Sequence, residues 1–324
     1  DVADRVPIAA WGHTFFEEWS ASDLARVTLK RTHEFQFDYA KLQVRATCFG
    51  EALGSEFRPS GALTQPVAVK PLVRESADWG SVPDVVPGKL PSALGDQVDC
   101  LHRVVDAIGP DVPVIQTLFS PLSVAAYLLG RDPDRVVREL RADPKRLGTV
   151  MQKIAGWLVE FAERSVEAGA SGVFYAIVKY ASKGVLSWQE YSEWVLPYDL
   201  LVAERLPRKS WLNMLHLCGD HVYFDLARIL PFNCVNWATR DPGNPGLADG
   251  QRMSGKAVVG GMDRHSPIAA GTAAEVRAEA SDALRAAGAQ GVFLAPGCSV
   301  SPWPDEKAEN MNAMREVAVE FGRG

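Results

Sequence analysis

Eight short β-rich runs, each followed by a longer helix-like stretch, constrain this chain more than any other feature of its sequence. The runs are Val6–Ala10, Tyr39–Val44, Val112–Leu118, Gly172–Ile177, Trp211–His216, Phe232–Trp237, Ala257–Gly261 and Gly291–Ala295. Helix signals fill the gaps. Ser22–Phe37 opens on a Ser/Asp cap, Leu94–Ile108 and Ser187–Arg205 are amphipathic, and Thr272–Ala287 carries Glu275 in its first turn. Asp134–Gly169 is long enough for two helices broken near Asp143-Pro144, and Asp305–Phe321 closes the chain. Eight β-then-α units in 324 residues match the count and size of a (β/α)8 barrel, an α/β TIM-barrel class. A doubly wound open sheet is the alternative, but no G-x-G-x-x-G follows the first run. The expected organisation is one domain over 1–324, with an irregular loop or lid at about 57–91 that is rich in proline.

Two phrases stand at run ends. Leu215-His216-Leu217-Cys218-Gly219-Asp220 follows the fifth run and Pro296-Gly297-Cys298-Ser299 the eighth. A barrel puts both on the C-terminal face, where barrel enzymes keep their active sites. His and two Cys are preferred zinc ligands, and three protein ligands leave a position open for chemistry. The alternative is ordinary: a cysteine after a strand is commonly a small buried hydrophobe. If they do bind zinc, two thiolates and an imidazole favour activation of a thiol over production of a very acidic water. Asp220 is either a carboxylate that orients His216 or a solvated loop residue.

Other residues fall near the same face. His13 and Glu17 follow the first run, Tyr175 and Lys179 belong to the end of the fourth, Asn236 ends the sixth, and Asp263 follows the seventh. His13, Tyr175 and Asn236 are candidate cofactor contacts, and Asp263 and His13 are candidate catalytic groups. Trp11, Phe15, Phe16 and Trp19 form either an apolar wall or part of the core.

Composition excludes several classes. The net charge of −6 argues against nucleic-acid binding, and no apolar run approaches a membrane span. Five scattered cysteines and no signal-peptide pattern point to reduced thiols in the cytoplasm. The chain opens at Asp1, so its native start is expected to have been trimmed or left out. The oligomeric state stays open, a homodimer included.

Asp4-Arg5-Val6-Pro7, Phe119-Ser120-Pro121-Leu122 with Ala126-Tyr127-Leu128-Leu129-Gly130, Gly271-Thr272-Ala273-Ala274-Glu275-Val276-Arg277, and Gly297-Cys298 with Glu309-Asn310-Met311-Asn312-Ala313-Met314 resemble the uroporphyrinogen decarboxylase superfamily. The resemblance runs along essentially the whole chain and implies a (β/α)8 barrel. True decarboxylases carry R-Q-A-G-R after the first strand, where this chain reads Trp11-Gly12-His13-Thr14-Phe15-Phe16. Their essential aspartate aligns with Arg45, their M-T-Y tyrosine with Tyr127, and their late G-H-G phrase with Gly297-Cys298-Ser299. The superfamily's zinc-dependent methyltransferases instead show H-x-C-G after the fifth strand and G-C near the eighth, as here. Phe37-Asp38-Tyr39-Ala40-Lys41 also looks more like that branch. The resemblance therefore implies Zn2+ on His216, Cys218 and Cys298, Tyr127 as a further catalytic residue, and methyl transfer between a corrinoid and a thiol or methylated small molecule. The corrinoid partner is a corrinoid protein or free cobalamin. The alternatives are a metal-independent decarboxylase and a non-catalytic tetrapyrrole binder.

Overall fold

A computed structural model describes residues 5–265, 267–301, 303 and 307–322. Asp4 and Asp305, used in the sequence reading, lie outside the described residues. Seven parallel strands pair side by side in chain order: β1 (Ala40–Lys41), β4 (Val114–Phe119), β5 (Gly172–Val178), β6 (Met214–Cys218), β7 (Cys234–Trp237), β8 (Ala257–Met262) and β9 (Val292–Pro296). β2 (Glu56–Arg58) and β3 (Val67–Lys70) form a separate antiparallel hairpin.

The eighth position of the barrel is held by residues 7–9. Ile8 bridges Leu294 of β9 in parallel, Leu294 N donates to Pro7 O at 2.9 Å, and Asp38 N donates to Ile8 O at 2.9 Å. This closes the ring between β9 and β1. The expected first strand is reduced to a bridge for a local reason. Pro7 has no N–H, and the Ile8 N–H is taken by Asp38 Oδ2 at 2.7 Å, so a regular ladder cannot extend.

Helices alternate with the strands as the pattern anticipates. Asp132 and Asp143 cap Pro133–Ala142 and Pro144–Glu167, with proline in each first turn. Thr272 and Glu275 form a capping box at Ala273–Ala287. The stretch expected as one helix from Ser187 splits into Trp188–Trp194 and Leu196–Ala203, because Pro197 removes a backbone donor at the join. The final helix is Ala308–Gly322.

The irregular stretch near 57–91 is anchored on the barrel as well as looped over it. Its hairpin is followed by a 3-10 turn at Ser76–Ser81 with Trp79 buried, and Glu139 accepts from Ser76 Oγ (2.7 Å) and Trp79 Nε1 (3.2 Å). No helix among the described residues is long and apolar enough to cross a membrane.

Between barrel and helices sits a polar knot. The fully buried Asp199 accepts from Tyr175 Oη at 2.6 Å and Tyr191 Oη at 2.5 Å. Burial raises its carboxyl to about 6 despite both hydroxyls. A carboxyl whose folded value exceeds its unfolded one contributes stability below pH 4 that is lost as pH rises through about 6. Stability measured by urea unfolding should therefore fall relative to Asp199→Asn by about 3 kcal/mol between pH 4 and 7. Asp199→Leu, which strands two hydroxyls, should cost about 2–4 kcal/mol throughout.

Candidate metal centre and the cavity it faces

In a parallel strand successive side chains face opposite sides, so one parity points into the barrel. Phe174, Ala176 and Val178 of β5 face inward, as do Thr117 and Phe119 of β4 and His216 and Cys218 of β6. Register places Ala176 beside His216 and Val178 beside Cys218. Cys298, two residues beyond β9, completes the group across the mouth.

The three ligand atoms lie within 4.8 Å of one another. Cys218 Sγ and Cys298 Sγ are 4.0 Å apart, and Cys298 Sγ is 3.5 Å from His216 Nε2. A tetrahedral zinc with Zn–S about 2.3 Å and Zn–N about 2.0–2.1 Å needs S···S near 3.8 Å and S···N near 3.6 Å. The donor set fits zinc in identity and spacing. Among the described residues no Asp, Glu, His or further Cys joins the cluster, and all three side chains line the cavity.

Two features hold the cluster open for a cation. Asn236, paired with His216 across β6 and β7, donates through Nδ2 to Val259 O (2.9 Å) and Pro296 O (3.1 Å). Its amide is thereby fixed with Oδ1 on His216 Nδ1 at 2.6 Å, so Nδ1 carries the proton and Nε2 presents a lone pair to the thiols. Gly297 permits the second feature. A Cβ there would lie 2.5 Å from Ala238 Cα and 2.7 Å from Trp237 O, so only glycine lets the chain pass close enough to deliver Cys298. Cys298 is held well below the usual thiol value by the Cys218 hydrogen bond, with help from the Arg264 guanidinium. Cys218 is pushed up by the same bond and by burial.

The cavity is open on one side and has a volume of about 190 Å³, room for a small molecule. Further polar groups come from His13, Tyr127, Lys41, Gln43, Arg131, Gln65, Thr117 and Ser299, and no carboxylate lines it among the described residues. Gln65 comes from the loop between β2 and β3, so the hairpin reaches the mouth. Burial pushes the Tyr127 hydroxyl up to about 12 and lowers the Lys41 ammonium to about 7.

The structure thus brings His13, Tyr127, His216, Cys218 and Cys298 to one cavity. It separates the remaining expected residues. Tyr175 has the outward parity on β5, with its ring on Phe232 and its hydroxyl on Asp199, and does not face a cofactor. Asn236 sits beneath His216 as its orienting partner. Asp263 turns to a different depression beside Arg240 and Glu279, while its neighbour Arg264 faces the thiols. Asp220 is exposed and orients nothing in the cluster; Asn236 does that instead. Of the four early aromatics only Trp11 lines the cavity: Phe15 stacks on His13, Trp19 lies under Arg45, and Phe16 is half-exposed. Arg45 is buried, paired with Glu51 at 2.6 Å and bonded to Glu18 O, and points away from the cavity. Lys41, Gln43 and Arg264 were not anticipated, although the alternation through 41 and 43 is visible in the sequence.

The model of the family described as uroporphyrinogen decarboxylase (URO-D) matches residues 8–321. The chain belongs to that family. Among URO-D relatives, the methylcobamide:CoM methyltransferase MtaA of Methanosarcina barkeri is 25% identical over 98% of this chain and 89% of its own length. The methylcobamide:CoM methyltransferase MtbA of Methanosarcina acetivorans is 22% identical over 88% of this chain and 80% of its own. A uroporphyrinogen decarboxylase of Tolumonas auensis is 25% identical, over 56% of this chain and 50% of its own. A solved methyltransferase from Methanosarcina mazei superposes with a TM-score of 0.81 at 20% identity, covering 99% of this chain and 95% of that one, which shows the shared barrel fold.

Because Asn236 is the orienting partner of His216, Asn236→Leu should weaken zinc affinity about 10- to 100-fold in chelator competition while the fold survives. Gly297→Ala should do the same by displacing Cys298.

Proposed function

We propose that this chain is a zinc-dependent methyltransferase or demethylase that moves a methyl group between a corrinoid and a thiol or methylated small molecule. One observation carries the reading: a thiol, thiol and imidazole set with zinc spacing and an open side on a small cavity. The methyltransferase relatives, which align over nearly the whole chain, support it. Bound there, zinc supplies a Lewis acid that holds an acceptor thiol as thiolate at neutral pH, and a corrinoid supplies or takes up the methyl group.

The chain's own residues have separable tasks. His216, Cys218 and Cys298 hold the cation, and Asn236 fixes the imidazole. Tyr127 stays protonated across the working pH range, so its hydroxyl is a standing hydrogen-bond donor to substrate. His13 acts from the opposite wall through its hydrogen bond to Gln43. The aromatic walls of Trp11, Phe119 and Phe174 exclude water from the reacting end. A corrinoid, as free cobalamin or on a carrier protein, would be received at the open side of this cavity. Five free thiols suit the reducing cytoplasm, where we place the enzyme.

The decarboxylase reading has less support. Arg45 stands where the resemblance puts the decarboxylase aspartate, and its side chain is spent on Glu51.

Protein purified without added metal should contain about one zinc per chain, and Cys298→Ser should lose most of it. Methylcobalamin should lose its methyl group to an added thiol, and a chelator should abolish that transfer. Less than roughly 0.2 zinc per chain, unchanged by Cys298→Ser, would overturn the proposal.

A further inference from the structure

Lys41 is only 7% exposed, yet among the described residues no carboxylate pairs with it. Its ammonium carries three donors. One meets Gln43 Oε1 at 2.7 Å, and the nitrogen otherwise sits 4.5 Å from the centre of the Phe174 ring and 5.7 Å from that of Trp11. Burial lowers this ammonium to about 7 even against the charges of Cys298 and Glu18, and a buried ammonium with one oxygen partner is an incomplete arrangement that an added anion would complete.

The ammonium is also held in place, and the direction of every bond in the chain that holds it can be deduced. Lysine only donates, so Gln43 Oε1 accepts and Gln43 Nε2 must be the donor. Its partner His13 Nε2, at 3.0 Å, therefore accepts, and His13 Nδ1 carries the proton given to Glu18 Oε1 at 2.8 Å. That oxygen also takes the backbone N–H groups of Thr14 (2.9 Å) and Phe15 (3.2 Å), with Phe15 at φ 65°. Glu18 is itself buried. A fixed relay of four side chains thus aims one cation into the cavity.

The rest of the cavity complements it. Arg131 is the other cation in the lining among the described residues, and Phe119 and Tyr127 add two more aromatic faces.

We propose that Lys41 is the anchor for a negatively charged group of the substrate, which is a small monoanionic acid with a flat apolar body lying among Trp11, Phe119, Tyr127 and Phe174. Gln43, His13 and Glu18 are positioning residues for that anchor. The inference rests on the methyl-transfer reading only in placing the substrate's other end at the metal centre.

Calorimetric titration of the protein, both as purified and after zinc loading, with benzoate and its neutral counterpart benzamide tests the inference. Benzoate should bind at least about tenfold more tightly than benzamide. Lys41→Met should erase that preference and leave benzamide affinity and zinc content unchanged, and Gln43→Leu should reduce the preference severalfold. Equal binding of the two ligands, failure of both to bind, or a preference that survives Lys41→Met in folded protein would overturn it. Zinc binding without a carboxylate preference would sink this inference alone. A carboxylate preference in protein that takes up no zinc would sink the metal reading alone.

Discussion

The alternation of side chains along parallel strands in a closed ring is the constraint on which the site depends. One parity faces the barrel interior and the other faces the helices, and closure leaves no third option. His216 and Cys218 share the inward parity of β6, as Phe174 and Ala176 do on β5. Tyr175, one residue away, is carried to the opposite face and becomes a partner of Asp199. The ring that enforces this is closed by a short contact, with Ile8 inserted between Leu294 and Asp38.

Placement within that frame relies on polar groups with a single workable orientation. Asn236 can satisfy two backbone carbonyls and His216 only with its oxygen on the imidazole, so the ring nitrogen that faces the two thiols is set by the protein itself. Gln43 is constrained in the same way by Lys41 on one side and His13 on the other. The two cases differ in what they present to the cavity. Asn236 exposes a lone pair beside two thiols, and Gln43 steadies a cation. The cavity therefore has a soft-ligand wall and a cationic wall, with aromatic rings between them.

Much of this was legible in the sequence because barrel periodicity and the two cysteine phrases are local signals. Seven strands and the break at Asp143-Pro144 fall where the pattern placed them, and His216, Cys218 and Cys298 converge as their strand-end positions required. Side-chain direction beyond the strands was not legible. The loop after β8 does approach the thiols, but through Arg264, because Asp263 is turned away by its bonds to His265 N and the Glu279 side. Asn236 was singled out as a cofactor contact, and its bond to His216 was not foreseen, since that partner lies on a neighbouring strand and appears only with register. Lys41 was passed over because a lysine in a strand reads as solvated until its burial is known.

X-ray absorption at the zinc edge tests the central claim most directly, because it reads donor atoms rather than activity. Two sulfur neighbours at about 2.3 Å with one imidazole nitrogen are expected in the resting protein. A third sulfur should enter the shell when a thiol is added. A shell of oxygen and nitrogen alone, or a sulfur count that does not change with thiol, would contradict the assignment of this barrel mouth to thiol activation.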